Sequence, residues 1–422
     1  METSATEHSA EADGVRRAAF AFIFATVLLD MLAAGVVIPI LPKLVVDFVG
    51  GDTQRAAKIF GLFGTAWALM QFLFSPLQGA LSDAFGRRTM ILISNFGVGL
   101  DYVLMALAPT IAWLFVGRVI SGVTAASIAT AYAYVTDVTP PDRRAARFGL
   151  LGAAFGAGFV LGPALGGLAG SFSPRLPFWI AAGLSLANAF YGLLVLPESL
   201  PRVRRAPFNW RRANPFGALA LLRSHAELLG LSGVNFLGNL AHAVLPSIGV
   251  LYMMYRYGWD ERAVGLTLAG VGIAAIVVQG SVVGPVTKRV GERVALLFGI
   301  GFGVLGFLTF ALSRTGPEFC LGIPLLALWG LESPASIALM SRHVGPTEQG
   351  QLQGANASVI GLASLFGPGL FTQVFAVAIG GDREWRIAGA PFMLAALLLF
   401  AAAVTAWMVT RREQHSEKSG AS

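Results

Sequence analysis

Charged residues are scarce in this chain. Asp, Glu, Lys and Arg make up 13% of its 422 residues, whereas hydrophobic residues make up 55%. Soluble domains carry roughly 25% charged residues, so the chain has too few charges to cover the soluble domains that its length would suggest. Glycine contributes a further 51 residues. Low charge, abundant glycine and high apolar content predict a polytopic membrane protein embedded in the lipid bilayer.

Several kinds of site are missing as well. Cys320 is the only cysteine, which excludes an internal disulfide and a multi-cysteine metal site. Neither a Walker loop nor a nucleophile elbow occurs, so nothing indicates ATP hydrolysis or other enzymatic chemistry. The net charge of +7 does not indicate a nucleic-acid partner, because the basic residues lie between apolar runs rather than along one soluble face. We predict no enzyme activity, no metal and no cofactor.

Twelve apolar stretches are each long enough to cross about 30 Å of hydrocarbon as a helix. They lie at residues 18–41, 58–79, 89–108, 111–134, 148–170, 177–197, 226–254, 263–286, 294–313, 319–340, 351–379 and 388–410. The polar linker 198–225 divides them six and six, between a polar N-terminal tail (1–17), predicted to be disordered, and a C-terminal tail (411–422). The predicted fold is an all-α membrane protein with two six-helix bundles, 18–197 and 226–410.

The loops alternate in their content of Lys and Arg. The two tails, the linker 198–225 and the loops on the same side carry 20 of these residues, and the loops on the other side carry 9. Because Lys and Arg are retained on the cytoplasmic side, we predict that both termini and the linker are cytoplasmic. Arg118 alone lies inside a predicted span.

An internal repeat relates the two halves. At a constant offset of 205 residues, Gly79, Gly86 and Arg88 fall on Gly284, Gly291 and Arg293, Gly149 falls on Gly354, and Gly162-Pro163 falls on Gly367-Pro368. One offset that serves three separated segments indicates a repeated bundle of six spans. Because each half has an even number of spans, the repeat is parallel, with an axis along the membrane normal. Substrate is then expected near mid-bilayer, at the interface between the halves.

A ten-residue sequence, GALSDAFGRR, joins spans 2 and 3. Its glycines Gly79 and Gly86 permit a tight turn, and Asp83 can pair with a neighbouring arginine or cap a helix. Arg87 and Arg88 also fit the ordinary cytoplasmic excess of basic residues. The sequence matches the loop signature of the major facilitator superfamily, which the chain therefore resembles. We expect this loop to latch the halves rather than to contact substrate.

Span 5 carries closely spaced glycines. Gly158, Gly162, Pro163, Gly166 and Gly167 resemble the antiporter motif of drug-exporting members of that superfamily. Small residues at a spacing of four let helices approach closely, and proline bends a helix. The glycines therefore indicate either an export function or plain helix packing.

Further segments resemble the tetracycline/proton antiporters, from about residue 20 to about residue 375. They are residues 29–42, 100–102, 117–122, 137–149 and 350–354. The resemblance implies that Asp30, Asp101 and Arg118 match functional positions of that family, with the two acids in proton coupling. It also adds Asp137 to the cytoplasmic motif.

The chain departs from that family at two positions. The family's histidine in span 8 falls on Ala275, and its acidic residue in span 9 falls on Gly303. Both are implicated in proton coupling in the family, so this chain cannot run the same proton relay, and tetracycline as its substrate is in doubt. Glu332 lies in span 10, where the family usually has a small residue, and is a candidate proton carrier.

Amide and imidazole side chains also lie inside the spans. Asn235, Asn239 and His242 share one face of span 7, because their spacing is four and then three residues, and Asn235 occupies the repeat position of Asp30. These three, with Gln71 and Gln279, are the candidate substrate-binding residues. The alternatives are that the glutamines bond a neighbouring helix and that His242 is a hydrogen-bonded helix residue or a metal ligand.

The intramembrane charges admit more than one role. Charges at this depth cost about 2.5–3.5 kcal/mol on insertion scales, so they face a cavity or a partner. Asp30 is a functional acid or a neutral structural one. Asp101 and Arg118 lie about 10 Å deep on adjacent spans, which predicts an ion pair that is either structural or gating. Glu332 carries a proton or faces interfacial water.

The predicted function is that of a secondary transporter. Without an ATP site, energy comes from an ion gradient or from the substrate itself. We expect a proton-coupled antiporter that exports a small organic compound or drug by alternating access, as a monomer in the bacterial inner membrane. The alternatives are uptake of a small metabolite, by proton coupling or facilitation, and a non-transporting membrane receptor.

Overall fold

The chain is helical throughout the part that the structure describes. The computed structural model describes residues 2–124, 127–206, 208, 221–222, 226–345, 348–380 and 387–420, with no strand among them. The helices are α1 Glu2–Val37, α2 Leu41–Phe48, α3 Thr53–Phe85, α4 Arg87–Leu107, α5 Ile111–Thr124, α6 Ser127–Val138, α7 Pro141–Phe172, α8 Leu176–Val195, α9 Ala226–His242, α10 Val244–Tyr257, α11 Glu261–Val277, α12 Val283–Val290, α13 Glu292–Leu312, α14 Gly316–Leu328, α15 Glu332–Ser341, α16 Gln349–Ile379 and α17 Ala390–Gly420. The prediction of an all-helical membrane protein is confirmed.

Within the described part of the chain, eleven helical segments are long and apolar enough to cross a bilayer. They are Phe20–Phe48, Thr53–Phe85, Arg87–Leu107, Ala146–Phe172, Leu176–Val195, Glu227–Tyr257, Glu261–Val290, Glu292–Leu312, Gly316–Ser341, Gln351–Ile379 and Ala390–Arg411. Each overlaps one predicted span. The remaining span, predicted at 111–134, corresponds to the shorter helix α5 followed by α6, and residues 125–126 between them lie outside the described residues. The count of twelve and the cytoplasmic termini stay predictions.

Most of both tails and part of the linker belong to the described residues. Helix α1 begins at Glu2 and α17 continues to Gly420, and the disorder of residues 1–17 stays a prediction. The first seventeen residues contain no proline and several alanines and glutamates, which favour helix. In the linker, a short 3-10 turn covers Arg202–Arg204. Residues 207, 209–220 and 223–225 lie outside the described part of the chain.

The chain forms two compact units. The first comprises Met1–Leu41 and Leu69–Asn214, and its core includes Phe22, Ile91 and Tyr134, all at most 1% exposed. Helix α1 packs against α6, α7 and α8 in this unit. The boundary near residue 214 falls inside the predicted linker.

The second unit comprises Pro42–Ala68 and Pro215–Ser422, so residues 42–68 group with the C-terminal bundle rather than with the bundle 18–197. Specific contacts explain this grouping. Lys43 Nζ lies 3.4 Å from Glu261 Oε1, and the Gln54 side chain donates to the carbonyl of Ala376 at 3.1 Å. Gly64 of α3 faces the ring of Pro368, where a Cβ would lie 2.7 Å from the proline Cβ. Hydropathy locates a span but does not indicate which bundle it packs against.

Candidate functional site

Asp30 is held from a second helix. The side chain of Asn188 on α8 donates an Nδ2–H hydrogen bond to Asp30 Oδ1 on α1 at 3.0 Å. The same amide nitrogen lies 3.3 Å from the carbonyl oxygen of Thr26, and the Thr26 hydroxyl donates to Asn188 Oδ1 at 3.1 Å. Asn188 and Thr26 are buried, whereas Asp30 is partly exposed. A carboxyl group that is held in place and only partly buried is suited to exchanging a proton.

The glycines of the span 5 motif form a close contact with α1, beside Asp30. A Cβ on Gly158 would lie 2.6 Å from Met31 Cβ, and one on Gly162 would lie 2.6 Å from Gly35 Cα. A Cβ on Gly166 would collide with the carbonyl oxygen of Val36. Pro163 lies inside helix α7 and faces Gly35. The packing interpretation therefore holds for these three glycines, and the helix that they support is the one that carries Asp30.

Asp101 is buried where α4 meets α5. It is 1% exposed, and neither carboxylate oxygen has a hydrogen-bond partner among the described residues. Gly117 makes room for it, because a Cβ there would lie 2.6 Å from Asp101 Oδ1. Tyr102 interacts electrostatically with Asp30, Asp101 and Arg118. The two helices are adjacent, as predicted, and the ion pair between Asp101 and Arg118 stays a prediction.

In the second unit, Asn235 on α9 is the centre of a buried polar cluster. Its Nδ2 group donates to Asn356 Oδ1 on α16 at 3.0 Å, and the Ser336 hydroxyl on α15 donates to Asn235 Oδ1 at 2.6 Å. Asn239 donates its amide hydrogen to the backbone carbonyl of Asn235 at 2.8 Å. The cluster thus uses the side chain of Asn235 to join three helices.

Three helix irregularities surround the other candidate binding residues. Span 7 breaks between α9 and α10 at Ala243, next to His242. Gln279 lies in a π-helical turn, Val278–Val282, and Trp329–Leu331 form a 3-10 turn between α14 and α15. The His242 ring is 5.7 Å from the Trp329 ring, and Gly330 faces the Gln279 side chain. Interrupted helices at membrane depth are tolerated where they are buried or line a cavity, and transporters use them as binding sites.

Glu332 follows the 3-10 turn directly. Its side chain is 8% exposed and makes no hydrogen bond or ion pair with any described residue. Gly238 provides space for the carboxylate, because a Cβ there would lie 3.1 Å from Glu332 Oε1. Gly238 and His242 lie on one face of α9, so the same face contacts both Glu332 and Trp329.

Ala275 and Gly303, the two positions at which the resemblance to the tetracycline antiporters predicts a departure, have different surroundings. A Cβ on Gly303 would lie 2.9 Å from Trp329 Cγ and 2.7 Å from Leu399 Cδ1, so neighbouring side chains occupy the space beside Gly303. Ala275 is partly exposed on α11, four residues before Gln279.

The described residues contain no cluster of three metal-ligating side chains, and the His242 imidazole contacts the Trp329 indole.

The cytoplasmic motif forms a network of charges. Arg87 pairs with Asp83 at 2.6 Å and with Asp137 at 3.2 Å. Glu198 accepts the backbone N–H of Arg87 at 2.9 Å and pairs with Arg205 at 3.5 Å. Gly86 has φ of 108°, and a Cβ there would collide with Glu198. The motif is therefore joined to the first residues after span 6. Arg88 donates to the Leu193 carbonyl, and Gly79 has open space beside it.

Several of these contact partners cannot be identified from the sequence. Asn188, Ser336, Asn356, Trp329 and Glu198 each complete a contact of a predicted residue. In the sequence, Asn188, Ser336 and Asn356 stand out only as polar side chains within apolar spans, and Trp329 stands out only as a large one. Gln71 and Gln279 make no hydrogen bond with any described residue, which leaves both alternatives for them open.

Comparison with known families identifies the chain. Residues 23–368 match the family model of the Major Facilitator Superfamily. The chain belongs to this superfamily. It is therefore an integral, multi-pass membrane transporter of a small molecule and not an enzyme.

Curated relatives carry more specific names. The tetracycline resistance protein, class C, of Escherichia coli is 38% identical over 88% of this chain and 94% of that protein. The class G protein of Vibrio anguillarum is 36% identical over 85% and 90%, respectively. The predicted resemblance to tetracycline antiporters is confirmed at the level of family membership.

Solved structures agree with the fold. The crystal structure of the human organic anion transporter MFSD10 (TETRAN) has a TM-score of 0.68 and 25% sequence identity, and it covers 93% of this chain and 99% of that one. The crystal structure of the nucleoside transporter NupG has a TM-score of 0.72 at 13% identity, covering 93% and 98%. At that identity the likeness to NupG shows the fold alone.

Proposed function

We propose that this transporter is a proton-coupled antiporter that exports a small organic compound by alternating access. The observation that carries the proposal is Asp30, a partly exposed acid within a span whose Oδ1 accepts a hydrogen bond from Asn188. The names of the curated relatives support a drug as the substrate, with tetracycline as the first compound to test. The proposal includes a monomer in the bacterial inner membrane and no cofactor, since the proton gradient supplies the energy.

In this proposal, two acids bind protons, and one of them can also bind the substrate. Asp30 in the first unit takes up a proton on the acidic side and releases it on the other side. Glu332 in the second unit has no partner among the described residues and is free to bind a proton or a cationic group of the substrate. Competition between proton and substrate for a carboxylate couples their opposite flows, because only one of them can neutralise it at a time.

Substrate contacts are assigned to the irregular helices of the second unit. His242, Gln279 and Asn239 offer an imidazole and two amides there. Gln279 lies within the π-helical turn Val278–Val282. Gln71 on α3 is the candidate amide of the first unit. Ala275 and Gly303 cannot titrate, so the proton path of this chain differs from that of the tetracycline antiporters at these two places.

The test is flux in a defined system. Purified protein is reconstituted in liposomes, and a compound panel that includes tetracycline is screened with an imposed pH gradient. We expect accumulation of one class of compound on the acidic side, loss of accumulation when nigericin collapses the gradient, and no accumulation with Asp30→Asn. Transport towards the basic side would assign uptake instead. Compound binding without flux under any gradient would assign a receptor.

A further inference from the structure

The Asp30 carboxyl group accepts a hydrogen bond from a side chain outside its own helix. Asn188 is fully buried on α8, and the three hydrogen bonds of its amide all go to α1, at Thr26 and Asp30. These two residues are four positions apart, so they lie one above the other on the same helix face. The amide thus spans one turn of α1.

The orientation of the amide is determined by its neighbours. The Thr26 carbonyl oxygen can only accept a hydrogen bond, so the Asn188 nitrogen must face it. The Asn188 oxygen then accepts from the Thr26 hydroxyl at 3.1 Å. The second N–H of the amide is thereby directed to Asp30 Oδ1 at 3.0 Å. A reversed amide would place oxygen against the Thr26 carbonyl.

A fixed N–H donor acts on the proton of the carboxyl group as well as on its position. A donor stabilises an ionised carboxylate more than a protonated one, and a hydrogen bond to a charged group is stronger than one between neutral groups. We propose that Asn188 is a positioning residue for proton exchange. Through the orientation that Thr26 imposes on its amide, it holds Asp30 in one rotamer and sets the pH at which Asp30 exchanges its proton. This rests on the proposed role of Asp30.

Other charged groups near Asp30 are distinct from this triad of Thr26, Asp30 and Asn188. Asp101, Tyr102 and Arg118 on α4 and α5 lie near Asp30. The remaining titratable or charged residues on the helices packed against α1 are Tyr132, Tyr134 and Asp137 of α6, Asp142, Arg143, Arg144 and Arg147 of α7, and Tyr191 of α8. All of them are unchanged in the variants below, so a shift of the titration reports the triad.

The experiment titrates Asp30 itself. Infrared difference spectra of the reconstituted protein resolve the C=O stretch of protonated carboxyl groups, and the band that is lost in Asp30→Asn is assigned to Asp30. Asn188→Leu keeps the shape of the side chain and removes the donor. We expect the midpoint of the Asp30 band to move to higher pH by about one to two units, the size expected for a lost hydrogen bond to a charged group. The pH profile of transport should move by the same amount.

Two further variants complete the test. Thr26→Val removes the hydroxyl that holds the amide oxygen but keeps the backbone carbonyl that faces the amide nitrogen, so it should give a smaller shift in the same direction, whereas Thr26→Ser should restore the wild-type midpoint. Ser185→Ala is the matched control, because Ser185 is buried one turn before Asn188 and its hydroxyl has no hydrogen-bond partner among the described residues. It should leave the midpoint unchanged.

The outcomes separate this inference from the proposed function. An unchanged Asp30 midpoint in both Asn188→Leu and Thr26→Val overturns the inference, and so does an equal shift in Ser185→Ala. Should Asn188→Leu fail to fold, Thr26→Val and Thr26→Ser decide the question alone. If the Asp30 band shifts as expected while transport remains independent of the pH gradient, the inference stands and the antiport proposal fails.

Discussion

At the scale of single residues, Asp30 is the acid on which the proposed coupling depends. Asp30→Asn keeps the shape of the side chain and most of its hydrogen-bonding capacity but cannot exchange a proton. We expect normal expression and a near-native melting temperature, with proton-driven uptake into everted vesicles reduced to the level of empty vesicles. Asp30→Glu, which retains a titratable group, should keep part of the activity. Uptake at the wild-type rate by Asp30→Asn would show that coupling lies elsewhere.

Glu332 gives the second residue-scale prediction. Its carboxylate has space beside Gly238 and no partner among the described residues, and we propose that it exchanges a proton during transport. Glu332→Gln should remove one limb of the pH profile of transport, and Glu332→Asp should retain that limb at a shifted pH. The measurement is initial uptake rate against pH in everted vesicles. A profile that Glu332→Gln leaves intact would make this acid structural and leave coupling to Asp30 and Asp101.

The acids could be found from sequence, but their partners could not. A carboxylate within an apolar span is conspicuous because burying its charge is costly, which is how Asp30 and Glu332 were identified. Asn188 lies 158 residues from Asp30 along the chain, and an asparagine in an apolar span is equally compatible with many neighbours. Its role follows only from which helices are adjacent, and hydropathy carries no information about that.

At the scale of the helices, the contact between α1 and α7 depends on glycine. Gly162→Ala would place a Cβ 2.6 Å from Gly35 Cα, so the helices must separate. Overpacking of this kind costs typically about 1–3 kcal/mol. We expect a lower melting temperature in detergent and reduced transport.

The control for Gly162 lies on the same helix. Gly152 also belongs to α7, but nothing lies within 4 Å of the position that its Cβ would take. Gly152→Ala should be neutral or stabilising, since alanine favours helix over glycine. Equal loss of stability in both variants would mean that glycine on α7 serves flexibility rather than close packing.

The cytoplasmic loop between α3 and α4 yields a kinetic prediction. Asp83→Ala removes the 2.6 Å ion pair with Arg87 and frees Arg87 from one of its two acidic partners. Because this network lies at the end of the spans, we expect transport rate to fall while substrate affinity stays within a few-fold of wild type. Equilibrium binding and initial rates measured on the same preparation separate the two effects. A large loss of affinity at an unchanged rate would contradict a latch function.

Helix positions were predictable and helix irregularities were not. Apolar length located the eleven segments that the structure confirms, because only a helix satisfies its backbone groups within the hydrocarbon. The break at Ala243, the π-helical turn at Val278–Val282 and the 3-10 turn at Trp329–Leu331 lie within segments that are still apolar enough to span a membrane. Hydropathy therefore does not reveal them.

At the scale of the whole molecule, the distribution of Lys and Arg predicts the orientation in the membrane. With 20 of these residues on one side and 9 on the other, both termini should face the cytoplasm. A protease-cleavable tag after Ser422 should therefore be cut in everted vesicles and protected in right-side-out spheroplasts. A second tag, inserted between Gly50 and Gly51, should show the opposite pattern. Cleavage of the terminal tag in spheroplasts would reverse the predicted topology.

The contact of Trp329 with Gly303 restricts the order in which this chain can diverge. A carboxylate at position 303 would clash with the indole and Leu399, so a single substitution there cannot introduce an acid without displacing these side chains. Trp329 must first be replaced by a small residue, and that step alone leaves a void beside Phe307. Glycine at 303 and tryptophan at 329 are thus epistatic: each makes the other costly to lose. Replacing both residues one at a time therefore passes through a less stable intermediate.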